Sequence, residues 1–131
     1  MQDDFSTIMT ISASGMRAQG KRMKAAAENL ANVDSPGFRR KQVYFRDQVD
    51  RDSGAAKVEV SRVARDPSPL RESFDPGHPL ANADGYVTYS NVNAIIEMMD
   101  MKEAERSFSA GLRTFDQARD MFMRTLDLLR R

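Results

Sequence analysis

Met9, Met16, Met23 and Leu30 fall seven residues apart, and Ala13, Gly20 and Ala27 follow the first three at a spacing of four. This is a heptad seam over about three repeats, bulky at one position and small at the other. Strict sevens favour a left-handed supercoil, and small residues let a neighbouring backbone approach closely. Arg17, Lys21, Arg22, Lys24 and Glu28 lie off the seam. The far end repeats the device: Phe108, Phe115, Phe122 and Leu129 are again spaced by seven, with Met101 and Ala94 extending the row backwards. Ala104, Gly111, Ala118 and Thr125 run three residues after the bulky ones. Leu112 and Leu126 widen the stripe, while Glu105 and Arg119 interrupt it, either fixing register or reaching out to its edge. Opposite charges at Glu103 and Arg106, Asp116 and Arg119, and Asp120 and Arg124 mark a solvated face. The second helix is predicted to start in "SNVNAIIE", capped by Asn91 or Asn93.

Between the helices the pattern shortens. "VYF" (43–45), "KVEV" (57–60) and "YVTY" (86–89) are β-rich runs, separated by Ser53-Gly54, Asp66-Pro67-Ser68-Pro69, Asp75-Pro76-Gly77 and Asp84-Gly85. So few apolar residues predict a small core that leans on the helices or on a neighbour. The expected fold is mainly α with a small β-rich middle: the terminal helices pair as a long α-helical hairpin or coiled coil, with a short-stranded side domain between them. Residues 1–32 form an N-terminal helical arm, 33–90 a turn plus extended segment, and 91–131 a C-terminal arm that makes one coiled-coil domain with 1–32. At 1.5 Å per residue, 9–30 spans roughly 33 Å and 94–129 roughly 54 Å, so some 20 Å of the second stripe is expected to need other cover.

The exit from the first helix is abrupt. In "NLANVDSPGFRR" (29–40), Asn32 suits a left-handed helix cap and Pro36-Gly37 the central positions of a type II turn. Arg39, Arg40 and Lys41 follow, and a solvated turn or an intersubunit salt bridge is expected there.

Composition narrows the function. A chain of 131 residues makes one domain, or one with arms. Lys plus Arg is 20 against 19 for Asp plus Glu, so no global field draws nucleic acid, and no apolar run approaches the roughly 18 residues of a membrane span. The opening "MQDDFS" shows no secretory h-region. Cysteine is absent, and nine methionines suit either core filling or adaptable apolar surfaces. The single histidine, His78 in "DPGHP", lacks a second nitrogen or sulfur ligand for zinc and a serine nucleophile to serve. It is expected to pack or to cap its loop. No phosphate-binding loop is present, so no cofactor, small-molecule substrate or enzymatic activity is expected.

The helix ending in "ENLANVDSPGFRRK" resembles the signature of the flagellar rod, hook and hook-associated family, with Ser35 in place of the usual threonine. Within it, "DPSP", "DPGHPLANADGYVTYSNVN" and "MFMRTLDLLRR" look like the proximal-rod type, over nearly the whole chain. "AERSFSAGL" (104–112) departs from that type and leaves the contacts there open. The resemblance implies a structural subunit of the bacterial flagellar basal-body rod, a periplasmic helical tube that transmits torque. It implies partners in copies of itself, other rod subunits, membrane-ring and rod adaptor proteins and the flagellar type III export apparatus, with export lacking a cleaved signal peptide. Met9, Met16, Met23, Leu30, Phe108, Leu112, Phe115, Phe122 and Leu129 would form the assembly seam. Asn29, Asn32, Ser35, Pro36, Gly37 and Phe38 would form the family turn, where the chain leaves an inner tube for an outer domain: Asn29 and Asn32 would hydrogen-bond free backbone groups, Pro36-Gly37 make the turn and Phe38 anchor it. Phe5 and Met9 match the spacing of an export-gate element, or simply begin the seam. The alternative is a soluble coiled-coil adaptor or export chaperone forming a small oligomer.

Overall fold

The computed structural model describes residues 2–131. Helix α1 (Gln2–Ala31) is followed by strands β1 (Lys41–Val49), β2 (Ala56–Arg65), β3 (Glu72–Phe74) and β4 (Tyr86–Thr88), then helix α2 (Ala94–Leu129). β1 and β2 form one antiparallel hairpin, β3 and β4 a second small one. The first carries a bulge: Tyr44 pairs with Arg62 but Phe45 with Val60, and the extra residue, Ser61, donates its hydroxyl to Tyr44 O at 3.1 Å.

The helices lie side by side in opposite directions. Phe5 meets Phe122 at a 6.4 Å ring separation, and Arg22 reaches Asp100 at 3.3 Å and Glu103 at 3.1 Å. Midway, a Cβ on Gly111 would lie 3.0 Å from Met16 Cγ. Ala104 and Ala118, seven residues either side of Gly111, are buried as well. Gly111 of α2 thus receives Met16 of α1.

Several expectations are revised. The first helix begins seven residues before Met9, at Gln2, where Asp3 and Asp4 complement its N-terminal dipole. With Phe5 opposite Phe122, only Leu126–Leu129 overhang, about 6 Å rather than 20 Å. Gly20 faces open space and Ala27 is exposed, so of the two rows of small residues it is the one on α2 that admits the neighbouring helix. Glu103 turns to Arg22 rather than Arg106, and Arg119 meets Asp116 at 3.6 Å and Asp120 at 3.4 Å.

α1 has a second working face. Ser14, Ala18, Ala25 and Asn29 fall within about 60° of one another at 100° per residue and are all buried. This row carries the β1–β2 hairpin: Ser14 Oγ accepts the Val58 N–H at 3.2 Å, and Asn29 grips Lys41. The buried apolar residues are Ala18, Ala25, Ala26, Ala55, Val87, Ala104 and Ala118, so alanine supplies almost the whole interior. The largest fully buried side chains among the described residues are instead Glu97, Val87, Asn29 and Ser90.

Candidate functional site

The turn after α1 is held by its own residues and then tied to three other segments. Asn29 behaves as a short pseudo-strand beside β1: Nδ2 donates to Lys41 O at 2.9 Å, and Oδ1 accepts the Lys41 N–H at 2.8 Å. Asn32 caps the helix by side chain, with Nδ2 donating to Glu28 O at 2.8 Å and Oδ1 accepting the Ser35 hydroxyl at 3.0 Å. It is not the left-handed cap expected, since no residue other than glycine has a positive φ among the described residues. Successive three-residue bonds, Val33 to Leu30 O and Ser35 to Asn32 O, let the helix unwind with right-handed backbone instead. The left-handed residue comes later. Gly37, at φ +74°, follows Pro36 in a turn closed by the Phe38 N–H on Ser35 O at 3.2 Å, the type II arrangement.

β4 and the start of α2 close around this turn. The Gly37 N–H donates to Thr88 O at 3.1 Å, and the Ser90 hydroxyl donates to Val33 O. Asn93 is the N-cap of α2, its Oδ1 accepting from Ile95 N and Ile96 N. Asn91, the other candidate, accepts the Arg40 N–H at 2.6 Å and donates to Asp66 O and Ser68 O, both at 3.1 Å.

The basic run is paired within the chain rather than standing in a solvated turn. Arg39 donates to Asp66 O and Ser68 O at 3.3 and 3.1 Å, and Lys41 pairs with Glu28 at 2.5 Å. Arg40 is the centre: Nε donates to Glu97, Nη2 reaches Asp100 at 3.2 Å, and Nη1 lies 3.8 Å from Asp66. Glu97 is only 1 % exposed. Burial works against the Arg40 charge, but the hydrogen bond and charge of Glu97, with Asp100 and Asp66, outweigh it and hold the guanidinium above its ordinary pKa. Glu28 is held below the usual carboxylate range by the Lys41 hydrogen bond, Asp50 by that of Lys57, and Asp66 by those of Ser68. A cleft of about 250 Å³ beside this network is lined by Arg22, Asn29, Arg40, Tyr44, Glu97 and Asp100 among others. Its charges already satisfy one another, which makes it a structural joint.

His78 caps its own loop, with Nδ1 accepting the Leu80 N–H at 3.0 Å and its ring 6.4 Å from that of Tyr89. Of the residues expected in the seam, Met9, Met16, Met23, Leu30, Phe108, Phe115 and Phe122 are half-buried, whereas Leu112 and Leu129 stand in solvent. Phe5 is half-buried against Phe122. The sequence reading missed Glu97, the Ser14–Asn29 row and Ser90. A small-residue stripe at helical spacing was the signal for the row, whereas nothing local marks Glu97 as the partner of Arg40, 57 positions away.

A two-helix frame with a β-rich insert, tied together at an Asn-x-x-Asn…Pro-Gly turn whose polar groups are spent on one another, defines a structural subunit. Comparison with known proteins agrees. A model described as flagella basal body rod protein matches residues 9–39, and one described as flagellar basal body rod FlgEFG protein C-terminal matches 83–128. A flagellar basal-body rod protein FlgC of Agrobacterium fabrum is 39 % identical over 135 residues, covering 98 % of this chain and 97 % of the relative. FlgC of Salmonella typhimurium is 39 % identical over 129 residues (92 % and 95 %), and FlgC of Buchnera aphidicola subsp. Schizaphis graminum 32 % over 130 (92 % and 95 %). The chain belongs to the FlgC family of flagellar basal-body rod proteins. It is a structural rod component of the flagellar basal body, and the soluble adaptor or chaperone reading is not supported.

Proposed function

We infer that this chain is a subunit of the proximal rod, whose terminal helices pair as an antiparallel coiled coil and pack against those of neighbouring subunits into a periplasmic, torque-transmitting tube. The observation that carries this is the inversion of the apolar inventory. Alanine fills the interior, while Ile95, Met98, Met99, Met121, Met123 and Leu128 of α2 lie exposed. Exposed apolar surface on this scale marks an interface. Residues 1–32 and 91–131 serve as the assembling arms and 33–90 as the outer segment. Copies of itself, other rod subunits and ring or rod adaptor proteins are its partners.

Export through the flagellar type III apparatus, without a cleaved signal peptide, completes the reading. Phe5 and Met9 are the gate element. In the folded chain Phe5 packs on Phe122, so the element is presented only by an unfolded chain. Cells carrying Phe5→Ala or Phe115→Ala are fractionated and their cytoplasmic, periplasmic and rod-bound protein compared. Phe115 is half-buried, and its truncation removes about 2 kcal/mol of packing in each subunit. Phe115→Ala is therefore exported but unassembled, and Phe5→Ala stays in the cytoplasm. Export of Phe5→Ala at the normal level, with failure only at assembly, would make Phe5 a packing residue and remove the gate assignment.

A further inference from the structure

Two apolar surfaces near the end of α1 are left bare by the chain itself. The first is a knob on the β3–β4 hairpin, where Phe74 (64 % exposed) and Tyr86 (42 %) pair across the strands and Leu80 (64 %) stands in the loop that joins them. Its aromatic pair is braced by close contacts although it encloses almost nothing. The Phe74 and Tyr86 rings meet edge to face at 5.3 Å, and Gly85, at φ +83°, lies so close beneath that an added Cβ would come within 2.9 Å of the Phe74 ring. Asn82 Oδ1 accepts the N–H groups of Asp84 and Tyr86 at 3.0 and 2.9 Å. Ordering apolar side chains in water opposes folding, whereas a preordered knob binds with less entropy to lose. Around it stand Glu72, Asp75 and Asp84, all exposed and with no ion-pair partner among the described residues.

The second surface is a groove of about 360 Å³ on the first turns of α2, floored by Ile96 and Met99. Ile96 is 49 % exposed and Met99 65 %, so the knob of the same chain does not cover them. Asp100 and Glu103 on its rim are already taken by Arg22, and Asp100 also by Arg40. Lys102 and Arg106 are left without an ion-pair partner among the described residues. An apolar floor with a positive rim therefore faces outward at the same end of the molecule as an apolar knob with a negative rim.

We propose that the Phe74–Leu80–Tyr86 knob of one copy docks into the Ile96–Met99 groove of a second copy, with Asp75 and Asp84 against Lys102 and Arg106. The two patches differ, and a knob–groove contact made once per pair of copies is head-to-tail, leaving a free knob and a free groove from which it propagates. Gly37 on Thr88 O and Ser90 on Val33 O tie the base of the β3–β4 hairpin to the turn after α1, so each copy carries its knob in a fixed position relative to its groove. The proposal rests on the rod-subunit reading and adds the surface through which copies meet.

The chain has no cysteine, so Leu80→Cys with Met99→Cys introduces the only thiols. Basal bodies purified from cells expressing the full-length double variant are oxidised and run without reductant. A ladder of crosslinked copies is expected from the double variant and none from either single variant. Adding Lys102→Glu abolishes the ladder, and adding Asp84→Lys to that restores it. Tyr86→Cys with Ile96→Cys is read in the same way, against the chance that one pair disturbs the loop. Subunits present in basal bodies with a ladder from neither pair overturn the proposal. Crosslinking of the Met99→Cys thiol to a different protein overturns it too, and both outcomes leave the rod reading intact. Absence of the wild-type chain from basal bodies overturns the rod reading itself.

Discussion

Arg40→Ala tests whether the polar joint, rather than the apolar interior, holds the middle of the chain on the helices. The substitution removes the guanidinium from Glu97, which is 1 % exposed. Stripping one partner from a buried ion pair costs about 3–5 kcal/mol. Arg40 retains 20 % of its side-chain exposure, against 30 % for Asp100 and 14 % for Asp66, so solvent absorbs part of the loss. A destabilisation of about 2–3 kcal/mol is expected. Domains as a class hold about 5–15 kcal/mol, and an alanine interior places this one near the lower end. With a slope of about 1–2 kcal/mol per M, the urea midpoint falls by about 1–3 M. The assay is urea unfolding of the isolated chain followed by circular dichroism. Glu97→Gln in the Arg40→Ala background should recover about 1 kcal/mol, because a neutral amide is cheaper to leave buried than a carboxylate. A midpoint within experimental error of wild type, or a further loss on adding Glu97→Gln, refutes the assignment of Arg40–Glu97 as the anchor.

The turn, the small residues and the carboxylates give three further expectations. Gly37→Val forces a β-branched residue to φ +74°, straining the exit by about 1–2 kcal/mol, so the variant is exported normally but enters rods poorly by fractionation. Gly20→Ala meets no atom within 4 Å and gains helix propensity of about 0.5–1 kcal/mol, read as a rise of about 3 °C in melting temperature. Glu28, Asp50 and Asp66 titrate below their unfolded values, so their stabilisation is complete above about pH 5 and lost as the pH falls through their folded values. Urea midpoints should therefore decline below about pH 4, and less steeply for Asp66→Asn.

What could be read in the sequence follows the range of the interactions responsible. The two helices were legible because a seven-residue spacing of Met and Phe is a local, repeated signal. Pro36-Gly37 was legible because only glycine adopts the required φ at no steric penalty. Asn32 was legible in part: its side chain does bond a free backbone group, Glu28 O. Its backbone is not left-handed, because asparagine suits either role and Glu28 O with the Ser35 hydroxyl fixed the choice. β3 escaped notice because "ESF" has no alternation, and its pairing with Tyr86–Thr88 alone makes it a strand. The fate of Arg40 was out of reach: its acceptors Glu97 and Asp100 lie 57 and 60 positions on, brought near by the helix pairing.

The same arrangement explains how a chain with so little apolar interior can still be specific. Hydrogen bonds and ion pairs demand geometry but contribute modest net stability, whereas apolar burial contributes stability and demands little geometry. Here the two are separated in space. The demanding contacts (Asn29 on Lys41, Ser90 on Val33, Arg40 on Glu97) converge at the joint and set where the β-rich middle sits relative to both helices. The stabilising surface, chiefly Ile and Met on α2, is left outside, where it gains nothing until a neighbour removes it from water. In the proposed rod, neighbours that cover this surface add stability a lone subunit lacks, while the joint positions the middle segment within each copy.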